Sequence, residues 1–288
     1  MGAGILIMRI LLTGANGFTG RHFQNKAVSL GHEVFPFQAD LMRANDVFAE
    51  VHDINPSHVL HLAGISAVTH ADENAFYQVN VLGTQNLLHA LSKLNRRPAK
   101  VVLASSANVY GNASLNPITE DYCPKPVNHY AISKLAMENM STAFAEQLPI
   151  VIGRPFNYTG VWHDNRFVVP KIIEHVQRRA PEIELGSLDV LREYNDVRMI
   201  CQAYLDLLDL GQPGETYNIA SGRAVDLRTI ISTLEAITNH TMQVKVNPAF
   251  IRANEIAILS GSPKKIEALL GPLKHPSLED TLRWMVNS

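Results

Sequence analysis

Cysteine is scarce: Cys123 and Cys201 are too few to staple a disulfide framework, and two isolated thiols fit a reducing compartment. An excess of charge of either sign is also missing. The formal net charge is -2, which leaves no electrostatic footprint for nucleic acid or an anionic membrane surface, and neither is expected as a partner. Long apolar runs are absent too. The stretch Ile5 to Leu12 is interrupted by Arg9 and is far too short to span a bilayer. It also lacks the basic leader and small-residue cleavage site of a secretory signal, so a cytoplasmic location is expected. Short internal repeats, low-complexity tracts and flexible linkers are likewise missing. What is present is apolar residue in quantity, 46% against 18% charged over 288 residues, enough to bury the core of one large domain or two modest ones.

The first 160 residues alternate short β-rich runs with longer helical patterns. Strands are expected at Arg9 to Thr13, Glu33 to Phe37, His58 to Leu62, Lys100 to Ser105 and Pro149 to Arg154. Helices are expected at Gly20 to Leu30, Asp46 to Ile54, Asn74 to Leu94 and Tyr130 to Gln147. Strands alternating with helices imply βαβ units, and right-handed crossovers then give an α/β fold with a Rossmann-type, doubly wound parallel sheet. After Asn157 the texture changes. Phe167 to Arg179 and Leu227 to Thr238 look helical, while Tyr217 to Ile219, Met242 to Val246 and Ile256 to Leu259 are short strand candidates. The expected organisation is a dinucleotide-binding domain over residues 1–160, with further pieces from about 190–240. A smaller mixed α/β lobe for substrate is expected from about 161–190 and 241–288.

The first strand-to-helix turn reads Thr13-Gly14-Ala15-Asn16-Gly17-Phe18-Thr19-Gly20. Glycines here let the backbone turn tightly and approach a pyrophosphate, whose charge is met by helix N-terminal amides. Plain tight packing of strand, turn and helix would also use them. The next strand ends at Phe37-Gln38, without the acidic residue that holds a ribose diol in strict NAD binders, so NAD(H) and NADP(H) both stay open.

Tyr130 and Lys134 lie four residues apart on an expected helix, which stacks them on one face. A free tyrosine titrates near 10 and is a poor proton donor and acceptor at neutral pH; a nearby ammonium lowers that value. Tyr130 is then placed to exchange a proton with a sugar hydroxyl or ketone. Ala104-Ser105-Ser106-Ala107-Asn108-Val109-Tyr110-Gly111 follows a strand at its C-terminal end, where doubly wound sheets bind ligands, and a serine there can orient the same oxygen. His58 and His61 fall on opposite faces of a strand, which argues for core histidines or neighbours of a coenzyme and against metal.

On these residues the chain resembles the extended short-chain dehydrogenase/reductase family, the nucleotide-sugar epimerases and dehydratases, from Arg9 to about Leu282. The resemblance implies that Gly14, Gly17, Phe18, Thr19 and Gly20 bind the coenzyme and that Asp40-Leu41 hold its adenine. It implies that Leu62-Ala63-Gly64, Asn80, Tyr130, Lys134 and Phe156 face the coenzyme as well. It makes Ser106, Tyr130 and Lys134 catalytic, with Ser106 rather than Ser105 as the serine because it lies four residues before Tyr110. Asn157 and Ser106 would contact the sugar nucleotide. Arg154-Pro155-Phe156-Asn157, Phe167-Val168-Val169-Pro170-Lys171, Arg192-Glu193-Tyr194 and Arg252-Ala253-Asn254-Glu255 resemble the GDP-sugar branch. Lys171, Arg192 and Arg252 are suited to clamp a diphosphate, and Glu255 to accept from a guanine or ribose donor. Glu193, Ala253 and Met199 stand where that branch usually has Asp, Pro and Asp. A homodimer through the two long helices is a further implication of the family.

Within the family, dehydratases carry a Glu two residues before the position of Tyr110, and epimerising GDP-fucose synthases carry a Cys there with a downstream His. This chain has Asn108, preceded by Ala107, and Phe167 at the place of the His. Asparagine has no proton to exchange and is no general base. Hydride chemistry at a carbonyl remains, and the expected reaction is NAD(P)H-dependent reduction of the C4 ketone of a nucleotide-linked 4-keto-6-deoxy-hexose. GDP-4-keto-6-deoxy-D-mannose, giving GDP-D-rhamnose, is the favoured substrate. A 4-epimerase and a non-catalytic, coenzyme-sensing module are the alternatives.

Overall fold

The computed structural model describes residues 7–66, 72–251 and 256–288. The chain divides into two compact units. One comprises the chain through Val109, Pro126–Arg154 and Cys201–Tyr217; the other comprises Tyr110–Lys125, Pro155–Ile200 and Asn218–Ser288.

The first unit runs β1 (Arg9–Thr13), α1 (Phe18–Ser29), β2 (Glu33–Pro36), α2 (Ala44–Ile54), β3 (His58–His61), α3 (Glu73–Tyr77), α4 (Thr84–Ser92), β4 (Lys100–Ala104), α5 (His129–Ser141) and β5 (Ile150–Pro155). With a strand at Thr216–Ile219 these build a six-stranded sheet in the order Thr216–Ile219, β5, β4, β3, β1, β2. The neighbours from β2 to β5 pair in parallel. Ile10, Leu11 and Leu12 of β1 and Val101, Val102 and Leu103 of β4 are fully buried. Such continuous apolar runs are what a sheet covered on both faces requires. One core cluster joins Leu11, Val59 and Leu103 to Leu87, Leu88 and Leu91 of α4 and Met137 of α5. β1 has β2 on one side and β3 on the other. The strand order therefore reverses beside β1, and the crevice at the carboxyl end of such a switch point is where open α/β sheets bind ligands.

The helix expected over Asn74 to Leu94 is present but interrupted. Gln78–Gly83 between α3 and α4 is π-helical, one wide turn that holds Asn80. α5 begins at Asn128, whose Oδ1 caps it by accepting from the Ala131 amide at 2.9 Å, which places Tyr130 in the first turn.

The second unit continues with β6 (Tyr158–Thr159), α6 (Val168–Gln177), β7 (Glu182–Leu185), β8 (Leu191–Glu193), β9 (Asn195–Asp196) and α7 (Val197–Leu210), which carries the chain back to the first unit. After β10 (Thr216–Ile219) come β11 (Ala224–Val225), α8 (Leu227–Thr238), β12 (Gln243–Val246), β13 (Ile258–Leu259), α9 (Lys264–Leu270) and α10 (Leu278–Val286). β8 is the centre of a small sheet, antiparallel to β11 and parallel to β13, and β7 pairs in parallel with β12. Its separate core gathers Ile172, Ile173 and Val176 of α6, Ile230 and Leu234 of α8, and Leu282 and Met285 of α10.

The expected boundaries need correction. Tyr110–Lys125 goes with the second unit, not the first. Its backbone is satisfied there: the Ile118 amide donates to Ser260 O and its carbonyl accepts from Ser262 N, both at 2.8 Å. Only Cys201–Tyr217 of the 190–240 stretch returns to the first unit.

Candidate active site

The glycine loop divides its labour. Gly14 has φ +69, a left-handed conformation, and a β-carbon on it would come within 2.8 Å of the Ala63 amide. A β-carbon on Gly20 would meet the Gly14 carbonyl oxygen at 2.2 Å. Both glycines are therefore demanded by the protein's own packing. Gly17 is different: it is exposed, and its β-carbon would approach only the Gly14 oxygen, at 3.2 Å. It caps α1, which has no side-chain cap and no acidic residue in its first turn. An open glycine at the start of a helix that has no side-chain cap fits close approach by an anion, and the loop thus fits the pyrophosphate of a dinucleotide.

The floor of the crevice is a directional network of hydroxyls. Thr84 Oγ1 donates to Asn80 O at 2.8 Å and so accepts from His61 Nε2, also at 2.8 Å. His61 Nδ1 then accepts from Thr13 Oγ1 at 2.7 Å, and that oxygen accepts the Ala63 amide at 3.0 Å. Burial, assisted by the charge of Lys134, pulls the His61 imidazole down to about 3, so it is neutral. The segment Leu62-Ala63-Gly64 is held by these bonds and by Asn80, whose Oδ1 accepts from Ile65 N at 3.0 Å and whose Nδ2 donates to Ser133 Oγ at 3.0 Å.

Ser106, Tyr130 and Lys134 come together and all three are buried. Ser106 Oγ accepts from Asn108 twice, from the amide at 3.2 Å and from Nδ2 at 3.1 Å. Its one proton is then left for the neighbouring Tyr130, whose phenol it pulls down against the effect of burial. Lys134 Nζ donates to Ala104 O at 2.8 Å, and a β-carbon on Gly64 would lie 3.3 Å from that ammonium. Burial pulls Lys134 down to about 8, with the Glu138 carboxylate opposing. The expected acidification of Tyr130 by Lys134 does not occur in this state: burial pushes the phenol up, and only the bond from Ser106 opposes it. The ammonium is engaged by a carbonyl instead.

Other expected residues fall elsewhere. Asp40 is exposed and its Oδ1 accepts from the Met42 amide, while the Leu41 side chain belongs to the core. In the second unit, Phe156 is fully buried and stacked on Tyr110, and Asn157 is exposed. Lys171 donates to Glu184 O at 2.7 Å and sits 4.6 Å from the Phe250 ring centre. With His175, Arg178 and Arg179 it lines a cavity of about 620 Å³. Arg192 is half-buried and donates to Leu191 O. Arg252 and Glu255 lie outside the described residues. Sequence reading missed the buried carboxylate Glu138, and it named Glu193 without foreseeing its burial. The signal for Glu138 was available, since it follows Lys134 at the same four-residue interval that joins Tyr130 to Lys134.

Side chains of this kind move a proton but no electron pair, so a carbonyl reaction here needs a hydride from a bound dinucleotide. That defines the class: a nicotinamide-dependent oxidoreductase. The model of the NAD dependent epimerase/dehydratase family matches residues 10–220, and the chain belongs to that family. It is 31% identical to a GDP-6-deoxy-D-talose 4-dehydrogenase of Aggregatibacter actinomycetemcomitans, over 92% of each chain. It is also 31% identical to a GDP-6-deoxy-D-mannose reductase of Pseudomonas aeruginosa, over 98% of this chain and 97% of the other. Among solved structures, one from Burkholderia cenocepacia J2315 is 41% identical with a TM-score of 0.92 over 97% of each chain. RMD from Pseudomonas aeruginosa, complexed with NADPH, is 29% identical with a TM-score of 0.88 over 96% of this chain and 97% of that one. Among the described residues no helix is long and apolar enough to cross a membrane.

Proposed function

We propose that the protein reduces the C4 ketone of a nucleotide-linked 4-keto-6-deoxy-hexose, with GDP-4-keto-6-deoxy-D-mannose as the substrate and GDP-D-rhamnose as the product. The observation that carries this reading is the pair of bonds from Asn108 into Ser106, beside a buried Tyr130. Where the resemblance puts the base or thiol of the dehydrating and epimerising enzymes, this chain has Asn108, whose backbone N–H and Nδ2 both donate to Ser106 Oγ. The phenol, pushed up by burial, is protonated at neutral pH. A neutral donor is what the nascent alkoxide of a reduction needs.

The bound nicotinamide, reduced, supplies the hydride to C4. Tyr130 gives its proton to the C4 oxygen, Ser106 orients that oxygen and replenishes the phenol's hydrogen bond, and Lys134 holds a positive charge beside both. One ketone, one hydride and one proton thereby become one alcohol. The cationic cavity at Lys171, Arg178 and Arg179 suits a nucleotide diphosphate. The GDP-linked 6-deoxy sugars named for the two relatives supply the base and the sugar class. They differ at C4, and the talose-named relative makes the C4 epimer the second reading.

Incubation with GDP-4-keto-6-deoxy-D-mannose and NADPH or NADH should bleach the reduced-nicotinamide absorbance, one equivalent per sugar. The H3–H4 and H4–H5 couplings of the product assign the epimer. No bleaching with GDP-, UDP- or dTDP-linked 4-keto sugars would sink the proposal, and net interconversion of 4-epimers without it would replace it with epimerisation.

A further inference from the structure

Behind the catalytic residues lies a buried ionic cluster that the chemistry above does not use. Glu138 stands one helical turn beyond Lys134 on α5 and is 7% exposed. Its carboxylate accepts from the Ser105 hydroxyl, from Arg154 Nε at 2.9 Å and from Arg154 Nη2 at 2.5 Å. Arg154, at the end of β5, is 6% exposed. Lys134 in turn donates to the carbonyl of Ala104, the residue before Ser105. Two consecutive residues from the end of β4 are thus tied to α5, Ala104 by Lys134 and Ser105 by Glu138, just before Ser106.

We propose that Glu138 is a positioning residue that holds Lys134 in its charged form and registers the Ser105-Ser106 turn against the catalytic helix, with Arg154 locking the carboxylate in place. The physics is a count of buried charge. Lys134 is surrounded on its own helix by Tyr130 and Glu138, on β3 by His61, and beyond Glu138 by Arg154 on β5. Tyr130 and His61 are neutral at neutral pH, so Glu138 is the anion among these groups. A carboxylate about 6 Å away, as the four-residue helical interval implies, offsets desolvation by about one to two pH units at the effective permittivity of protein interiors. Without it a buried ammonium sheds its proton near neutrality. Arg154 forks onto the carboxylate with two parallel donors, which fixes the rotamer rather than adding to the count at Lys134.

The inference rests on the oxidoreductase reading for its catalytic meaning, but its test needs neither substrate nor coenzyme. In coenzyme-free protein labelled with 13Cε-lysine, the Lys134 resonance, identified by its loss in Lys134→Met, should titrate with a midpoint of about 8. In Glu138→Gln the midpoint should fall by about one to two pH units, and in Glu138→Asp by less. Should Glu138→Gln not fold, the double variant Glu138→Gln/Arg154→Gln leaves no unpaired partner in the pair and should show an acidward move of the same sign. A midpoint that stays at the wild-type value in whichever variant folds overturns the proposal. With the sugar nucleotide, the alkaline limb of kcat should move acidward in parallel while KM for the sugar is held. A uniform loss of kcat with the limb unmoved would mark Glu138 as structural only.

Discussion

Replacing Glu193 by glutamine tests how the second unit is held together. The Glu193 side chain is fully buried at the end of β8, and every donor to it is neutral. Oε1 accepts from Gly222 N at 3.2 Å, Ser260 Oγ at 3.2 Å and Gly261 N at 2.7 Å. Oε2 accepts from Asn195 Nδ2 at 2.8 Å, Ser221 N at 2.7 Å and Ser221 Oγ at 3.1 Å. The carboxylate, on β8, is the shared acceptor of β9, the turn after β10 and the chain after β13. Glutamine must put an NH2 where one oxygen was. At Oε1 it would face the amides of Gly222 and Gly261, neither of which is able to turn away. At Oε2 it would face one such amide, Ser221, because the Ser221 hydroxyl can rotate and the Asn195 amide can flip. The cheaper orientation strands one buried N–H, at about 1–3 kcal/mol, and the surviving bonds lose charge assistance worth about another 1 kcal/mol. The expected loss is about 2–4 kcal/mol, or about 3–7 °C in Tm for a chain of this length. Hydrogen exchange should quicken first at the Ser221, Gly222 and Gly261 amides, before those of β1 and β4. Glu193→Ala, which removes both acceptors, should be worse still. A glutamine variant melting within about 2 °C of wild type with unchanged exchange at those amides would refute the reasoning.

Tyr130→Phe should cut turnover by about 10²–10⁴-fold while coenzyme affinity, read by quenching of intrinsic fluorescence, stays within about twofold; undiminished turnover sinks the assignment. Gly17→Ala should leave Tm nearly unchanged yet weaken coenzyme binding, whereas Gly20→Ala, whose β-carbon would lie 2.2 Å from a backbone oxygen, should lower both. Equal effects of the two would remove the distinction between ligand approach and packing. Because burial lowers Lys134 to about 8 from its ordinary value, its ammonium is present below that pH and lost above it. Turnover should therefore decline on the alkaline side with a midpoint near 8, and a profile flat to about pH 10 would contradict this. Asn108→Asp would accept the Ser106 proton instead of donating to its oxygen, and should lower kcat by about tenfold or more; an unchanged kcat would show that the direction of this bond does not matter.

Much of the secondary structure was readable before any coordinates. Arg9 to Thr13 is the first strand as expected, and the helix after the glycine loop begins two residues earlier than Gly20. Leu227 to Thr238 is a helix over the expected span. α7, α9 and α10 were not anticipated. In α7 the buried positions include Val197, Ile200, Cys201, Ala203, Tyr204, Leu207 and Leu208, and apolar residues so crowded around a helix leave little 3.6-residue stripe to detect. α9 and α10 are short, with seven and nine residues, and a few residues carry little periodic signal.

Local periodicity is a property of the chain alone. It was enough to put Tyr130 over Lys134 on one helix, and to set Gly14, Gly17 and Gly20 at the first strand-to-helix turn, because both follow from the 3.6-residue turn and the glycine backbone. Buried charge is not local. Whether Glu138 would face solvent or Arg154, and whether Glu193 would gather donors from two distant segments as well as from Asn195, depend on what is desolvated and what comes within hydrogen-bond reach. Those were decided only when strands far apart in sequence came to lie side by side, since the energy of a charge is set by the medium and neighbours around it.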